Sequence, residues 1–185
     1  MATTYRLDAT AAQIARDLGA DAGDDVWEGG GVQPGSYAPV VIGGNGRSRH
    51  LAPRQWGVPP PPRGSAPVTT VRNLASPFWI GTLRHTQFRC LIPMTGIGMT
   101  GARDNVRIDV PATPIFACAG IWRDSEVPSF AMLTTEANTV FAKHGMGGMP
   151  VILHPDDYAR WLSASWKDAQ SLVRPFPAHA MRVLN

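Results

Sequence analysis

The run Tyr37-Ala-Pro-Val-Val-Ile-Gly-Gly-Asn-Gly46 joins six mostly apolar residues to a glycine-rich turn, and a second apolar run follows at His50 to Val58. Two apolar runs joined by a Gly/Asn turn are typical of a β-hairpin. The four prolines at 59–62 cannot donate hydrogen bonds to a sheet, so they predict an extended connection after the second strand. This stretch therefore predicts a core built from β-sheet.

Outward from the hairpin, the sequence alternates short apolar runs with a few helical patterns. Strands are predicted near 67–72, 88–92, 106–110, 115–122, 129–134 and 150–153, and helices near 10–18, 77–86, 136–143 and 155–161. Many short strands with peripheral helices predict an α+β protein with a curved, barrel-like antiparallel β-sheet core. With 185 residues and 44% hydrophobic side chains, one domain over 1–185 is expected.

Composition excludes several other classes of protein. Glycine (19) and proline (17) stay below the roughly 25–30% typical of low-complexity chains. The longest uncharged apolar stretch, Val110 to Trp122, contains two prolines and is shorter than the roughly 20 residues of a membrane helix. No signal peptide is recognised, and Cys90 and Cys118 lie in apolar runs typical of buried, reduced thiols. A cytoplasmic protein without a membrane partner is expected.

The positive charge is concentrated in one part of the chain. Between Glu28 and Asp104 the sequence holds eight arginines, no lysine and no acidic residue. Arginines bind phosphates, and the aromatic residues in the same block can stack on unpaired bases, so the block favours a single-stranded nucleic acid as partner. A simple composition bias is the alternative, because the whole chain has 15 arginines and only two lysines.

Three local patterns are considered and set aside. Gly96-Ile-Gly-Met-Thr-Gly101 matches a dinucleotide-binding pattern, but the required helix does not follow it. His144 with Met146 and Met149 offers ligands for a soft metal, although methionines that fill core gaps explain the pattern more simply. No serine lies in a nucleophile elbow. Neither a metal nor a cofactor is expected.

Eight short motifs occur in the order found in a known family and span nearly the whole chain. Together they resemble the SOS response-associated peptidase (SRAP) family, which processes abasic sites. The motifs are Pro34-Gly-Ser-Tyr-Ala-Pro-Val-Val41, Arg54-Gln-Trp-Gly-Val-Pro59, Val71-Arg-Asn73, Arg89-Cys-Leu-Ile-Pro-Met-Thr-Gly96, Phe116-Ala-Cys-Ala-Gly-Ile-Trp122, Leu133-Thr-Thr-Glu-Ala-Asn138, Met149-Pro-Val-Ile-Leu153 and Arg174-Pro-Phe-Pro177.

The resemblance implies a specific chemistry. In that family, loss of the initiator methionine exposes an N-terminal cysteine, whose thiol and α-amine capture the aldehyde of an abasic site in single-stranded DNA as a thiazolidine. An asparagine, a glutamate and a histidine line the pocket and serve positioning and proton transfer.

This sequence departs from that catalytic set. Ala2 occupies the cysteine position and Met99 the glutamate position, whereas Asn73 keeps the asparagine. His144 is displaced by two residues from its expected place before Met149-Pro150. Because alanine has no thiol and methionine cannot transfer a proton, we expect the crosslinking chemistry to be lost or impaired.

The resulting expectation is a monomeric SRAP-like protein that binds single-stranded DNA, with or without abasic sites, without forming the crosslink. The expected DNA contacts are Arg54, Trp56, Arg72, Asn73, Arg84 and Arg89. For these residues a purely structural role is the alternative, with Trp56 in the core and Asn73 in a turn.

Two other functions stay open from the sequence. An N-terminal amine with a pKa of roughly 7.7–8.0 could form an imine with an aldehyde, which would make the protein an abasic-site lyase or an autopeptidase. Alternatively, the protein is a non-enzymatic interaction module with a methionine-lined pocket. The residues of that pocket would be Met94, Ile97, Met99, Met146 and Met149.

Overall fold

A computed structural model describes residues 2–43, 46–100 and 105–184. In these ranges the chain alternates strands with short helices. The strands are β1 (Ala2–Leu7), β2 (Gly30–Val32), β3 (Tyr37–Ile42), β4 (His50–Trp56), β5 (Thr70–Val71), β6 (Arg89–Met94), β7 (Gly96–Thr100), β8 (Asn105–Asp109), β9 (Phe116–Asp124), β10 (Pro128–Glu136), β11 (Gly148–Pro150), β12 (Ile152–Leu153) and β13 (Arg182–Leu184).

The helices are short and lie between strands or near the C-terminus. They are α1 (Ala11–Leu18), α2 (Pro77–Arg84), α3 (Thr139–Lys143), α4 (Tyr158–Ser163) and α5 (Trp166–Ala169), with 3₁₀ turns at Thr86–Phe88, Pro155–Asp157, Gln170–Leu172 and Ala178–Ala180. None of the helices in the described ranges is long and apolar enough to cross a bilayer.

Five strands close into a barrel, in the order β3, β4, β10, β9, β6 and back to β3. The predicted hairpin is its first pair, with Ile42 opposite His50, although Gly44 and Asn45 of the turn lie outside the described residues. Closure depends on a parallel pairing of β4 with β10, in which Phe130 lies opposite Trp56. The α+β, barrel-like fold is confirmed, and the barrel is mixed rather than wholly antiparallel.

A second, five-stranded sheet packs beside the barrel, in the order β13, β8, β7, β1, β2. It is joined to the barrel directly after β6, where the Thr95 amide donates to the Arg6 carbonyl at 2.7 Å. This sheet brings the first strand of the protein against β7, about ninety residues later in the sequence.

The core fills the barrel and the space beneath α4. Its largest apolar side chains include Trp56, Phe116, Phe130 and Trp161, each at most 2% exposed. Gly120 is required for close approach, because a Cβ there would lie 2.6 Å from Cδ1 of Ile92. The thiols of Cys90 and Cys118 are free and buried, and burial raises the pKa of both.

Several elements differ from the prediction. β2, β7, β13 and α5 match no predicted strand or helix. β1 was not predicted, since six residues with three polar side chains resemble a loop until β2 and β7 pair with them. The helix expected from residue 136 begins at Thr139, because Glu136 still belongs to β10 and Asn138 caps α3 by accepting hydrogen bonds from the amides of Val140 and Phe141.

Candidate functional site

Positions 2 and 99, where the resemblance implies the family's cysteine and glutamate, lie on neighbouring strands. In the antiparallel pairing of β1 with β7, Thr3 lies opposite Met99 and Ala2 lies opposite Thr100. Paired strands lie about 4.8 Å apart, so the start of the chain and position 99 share one small region. The side chains of Ala2 and Met99 lie outside the described part of the protein.

A cleft of about 520 Å³, here called the β1 cleft, opens beside this strand pair. Gly98 contributes to its floor, where a Cβ would lie 2.7 Å from Oγ1 of Thr4. The lining residues include Thr4, Arg6, Gly31, Gln33, Ser36, Gly98 and Arg107.

One carboxylate faces the two arginines of the β1 cleft. Asp8 accepts hydrogen bonds from Arg6, down to 2.5 Å, and lies 3.4 Å from Nη2 of Arg107. The hydrogen bond from Arg6, helped by the charges of Arg6 and Arg107, lowers the pKa of Asp8. Because Arg6 and Arg107 share the single carboxylate of Asp8, this part of the cleft carries a net positive charge.

Arg72 and Asn73 lie next to the loop that carries His144. The parallel pairing of β5 with β10 and the antiparallel pairing of β10 with β11 bring the two segments together. Arg72 donates to the Gly147 carbonyl at 3.2 Å, and both Arg72 and Asn73 are exposed. Oδ1 of Asn73 accepts the Ala75 amide at 3.1 Å, which forms a turn before α2. His144, half-buried, ends α3.

The structure places Trp56 in the core, where its indole stacks on Phe130 with ring centroids 6.3 Å apart and packs against Tyr5 at 5.3 Å. Its Nε1 donates to the Thr69 carbonyl at 3.0 Å. The ring is 2% exposed, so no base can stack on it in this structure. The DNA contact expected for Trp56 is therefore replaced by a structural role.

Arg89 is also buried, and it binds backbone carbonyls instead of phosphates. Its guanidinium donates to the carbonyls of Leu83 (2.9 Å), Trp161 (3.1 Å) and Ala164 (2.7 Å). Burial lowers the pKa of this group. With 0% of its surface accessible, Arg89 cannot make the expected DNA contact without unfolding its surroundings.

The other arginines of the positive block are distributed differently. Arg49 donates to the Leu18 carbonyl at 2.8 Å and thereby caps α1, and Arg103 lies outside the described residues. The exposed members are Arg47, Arg63, Arg72 and Arg84. In the described part of the chain, four of the eight arginines in the block are thus exposed to a partner, whereas the sequence suggested that all eight were available.

Arg54 lines a second and larger opening, here called the mouth groove, at one end of the barrel. Its guanidinium lies 4.9 Å above the ring of Trp122. The groove has a volume of about 1100 Å³. Its lining residues are Ile42, Gly43, Gly46, Arg47, Ser48, His50, Arg54, Thr86, Gln87, Phe88 and Trp122. Arg84 lies at the end of α2, two residues before Thr86. Sequence reasoning missed Trp122, His50 and Arg47, because only barrel closure brings them together.

Comparison with known proteins decides the family. The family model described as SOS response associated peptidase (SRAP) matches residues 1–185. The chain belongs to the SRAP family. Membership connects it with the SOS response and with abasic sites in DNA, as the motifs predicted. No curated protein matches the sequence.

Three solved structures share the SRAP fold of this chain at low sequence identity. A Bordetella bronchiseptica protein is 19% identical over 99% of this chain and 98% of its own, with a TM-score of 0.78. A Bacteroides thetaiotaomicron protein is 19% identical over 97% and 90%, with a TM-score of 0.77. A phage-related protein from Bordetella bronchiseptica is 17% identical over 98% and 92%, with a TM-score of 0.75.

Two patterns set aside in the SRAP sequence have a structural explanation. The glycines at 96 and 98 lie inside β7, not at the start of a helix as a dinucleotide site requires. Met149 is buried in β11, and Met146 packs against the core. The methionine pattern in the described residues is therefore a packing feature.

The methionine-lined pocket is contradicted at three of its five residues, whereas Met146 is half-buried and the side chain of Met99 lies outside the described part of the protein. Met94 and Ile97 are fully buried, and Met149 is 1% exposed. Sδ of Met94 lies 3.7 Å from the Cys118 sulfur inside the barrel. Because these side chains fill the core, they offer no surface to a partner.

Proposed function

We propose that this SRAP protein binds single-stranded DNA without forming the family's thiazolidine crosslink, as a cytoplasmic monomer. The observation that carries the proposal is the β1–β7 register, in which position 2 lies one residue away from the partner of position 99, next to a positively charged cleft. The crosslink needs a thiol and an acid in this place, whereas alanine and methionine supply neither.

Non-covalent binding is supported by what the site region retains. Arg6 and Arg107 outnumber the single carboxylate of Asp8, so the β1 cleft favours an anion. Gly31 leaves part of the lining without a side chain, and Thr4 places a hydroxyl against Gly98 that can contact a phosphodiester. Arg72 and Asn73 add exposed polar groups, and we retain both as candidate contacts.

The experiment measures binding and crosslinking on the same sample. Fluorescence anisotropy follows the full chain with a labelled 20-nucleotide single strand, either intact or carrying one abasic site, while salt is raised. A denaturing gel of the abasic sample detects a covalent product, with and without borohydride. We expect salt-sensitive binding and no band of increased mass. Absence of binding at low salt would refute DNA binding, and a borohydride-dependent band would establish the imine-forming lyase instead.

A double variant tests whether the two positions form one site. Ala2→Cys with Met99→Glu restores the thiol and the acid, and we expect weak crosslinking to the abasic strand, absent in either single variant. Equal crosslinking by Ala2→Cys alone would show that position 99 takes no part. Arg16→Ala, an exposed arginine on α1, is the matched control for the effect of charge alone.

A further inference from the structure

We propose that the mouth groove is a separate binding site for single-stranded nucleic acid, which takes a phosphate at its arginines and a base against its aromatic wall. It lies where the β3–β4 hairpin, the Thr86–Phe88 turn and the end of β9 meet. The β1 cleft shares none of the groove's lining residues, so this inference does not depend on the function proposed for that cleft.

The charge of the groove favours a polyanion. Arg47, Arg54 and His50 are among its described lining residues, and none of those residues is acidic. Arg54 forms only a weak ion pair with Asp124. Its Nη2 lies 4.0 Å from the Asp124 carboxylate, and the Asp124 side chain is 59% exposed. Arg47 is exposed at the rim, where a flexible strand can reach it.

The groove wall also contains two hydrogen-bond donors that lack acceptors. Nε of Arg54 and Nε1 of Trp122 are both covered, and neither has a partner among the described residues. Both groups can only donate, so the complement they require is an acceptor such as a phosphate or base-carbonyl oxygen. Leaving donors unpaired is unfavourable, but both atoms are covered, so a ligand acceptor reaches them only when the side chains above them shift.

Aromatic rings give the groove its selectivity for nucleotides over simple anions. Phe88 meets Trp122 edge to face, with centroids 6.0 Å apart, and His85 packs against the other side of Phe88 at 6.3 Å. Both Phe88 and Trp122 are half-buried. Flat rings beside arginines are the arrangement on which unpaired bases stack, whereas an acidic peptide would gain nothing from them.

The size of the groove agrees with a nucleotide ligand. Sites for small molecules typically enclose about 300–1000 Å³, and the groove, at about 1100 Å³, accommodates more than one nucleotide. Arg84 lies just beyond the Thr86–Phe88 turn and extends the positive surface along α2. A strand leaving the groove in that direction would meet a further cation.

The test compares variants at the rim and wall with a matched control. Arg47→Ala removes an exposed charge, and Arg16→Ala removes an equally exposed one on α1. Anisotropy with labelled dT12 and rU12 gives affinity and its salt dependence. We expect Arg47→Ala to weaken binding and to flatten the slope of log K against log salt by about 0.7, and Arg16→Ala to leave both unchanged. Phe88→Leu keeps an apolar side chain and should weaken binding about tenfold through lost stacking.

The outcomes separate the groove from the β1 cleft and from other ligands. Binding of intact dT12 or rU12 that falls in Arg47→Ala and Phe88→Leu, but not in Arg6→Ala, which removes a cation of the β1 cleft, supports the groove. Wild-type affinity in both groove variants, with folding verified by circular dichroism, overturns it. Displacement of the strand by equal concentrations of inorganic phosphate or of a polyglutamate peptide also overturns it, because the ligand would then be a simple anion or an acidic chain.

Discussion

Replacing Arg89 by alanine removes a guanidinium that connects three parts of the protein. Its nitrogens donate to the Leu83 carbonyl near the end of α2, and to the Trp161 and Ala164 carbonyls at the end of α4. The guanidinium also lies 5.6 Å from the rings of both Trp161 and Trp166. Without it, three carbonyls lose their donor and a cavity forms beneath α4.

The magnitude follows from these contacts. Hydrogen bonds to a charged group contribute about 1.5–3 kcal/mol each. Burial of the charge opposes that gain, as the lowered pKa of Arg89 shows, and Nη2 has no partner among the described residues. The partners of Arg89 are neutral carbonyls, so Arg89→Ala leaves no charge unpaired but deprives three acceptors of their donor, at about 1–3 kcal/mol each. Removal of the buried guanidinium offsets part of this cost, and we expect a net loss of about 3–5 kcal/mol. Many proteins of this size have a total stability of only about 5–15 kcal/mol.

Urea unfolding followed by tryptophan fluorescence measures the effect. Arg84→Ala is the matched control, because Arg84 is exposed in the last turn of α2 and its loss should change stability by at most about 0.5 kcal/mol. Arg89→Lys keeps the charge but not the planar set of guanidinium donors. Its loss of stability should therefore lie between the losses of Arg89→Ala and Arg84→Ala. If the free energy of unfolding of Arg89→Ala lies within about 1 kcal/mol of the wild-type value, the structural role assigned to this arginine is wrong.

Two further predictions concern the core. Trp56→Ala should lower the free energy of unfolding, measured by urea titration, by about 3–5 kcal/mol. A small loss of stability together with reduced DNA affinity would instead show that Trp56 contacts DNA. Burial raises the pKa of Tyr158 to about 12, and its hydroxyl oxygen accepts the Ala117 amide at 3.1 Å. Because the unfolded pKa is about 10, this contribution to stability is complete below pH about 10 and is lost as the pH rises towards 12. Thermal unfolding across that range should show the decline, and Tyr158→Phe should reduce its slope; an unchanged slope would contradict the assignment.

The hairpin and most strands could be predicted because their signals are local. Gly43 to Gly46 between apolar runs marks a turn, and the capping box of Thr10 with Gln13 marks the start of α1. β1 carries no such signal, since its pairing partner β7 is about ninety residues away. The parallel pairing of β4 with β10 is equally non-local, and it closes the barrel.

Part of the candidate site could be predicted, because the motifs that mark it are local sequence signals. The SRAP motifs identify positions 2, 73 and 99, and β1 and β7 then bring two of these together. The motifs do not distinguish a binding residue from a core residue. Trp56 and Arg89 lie in motifs and are buried, whereas Trp122 and Arg47, which line the mouth groove, were not recognised as candidates.

The residue types alone establish the family, the α+β class and the absence of a thiol and an acid at positions 2 and 99, because each depends on which residue occupies a position. Alanine at 2 and methionine at 99 exclude a thiolate and a carboxylate in any conformation. Which cations are available to a partner depends on the tertiary structure. Burial depends on how the barrel closes, and closure sends Arg89 to backbone carbonyls inside the protein while it leaves Arg47 at the rim of a groove.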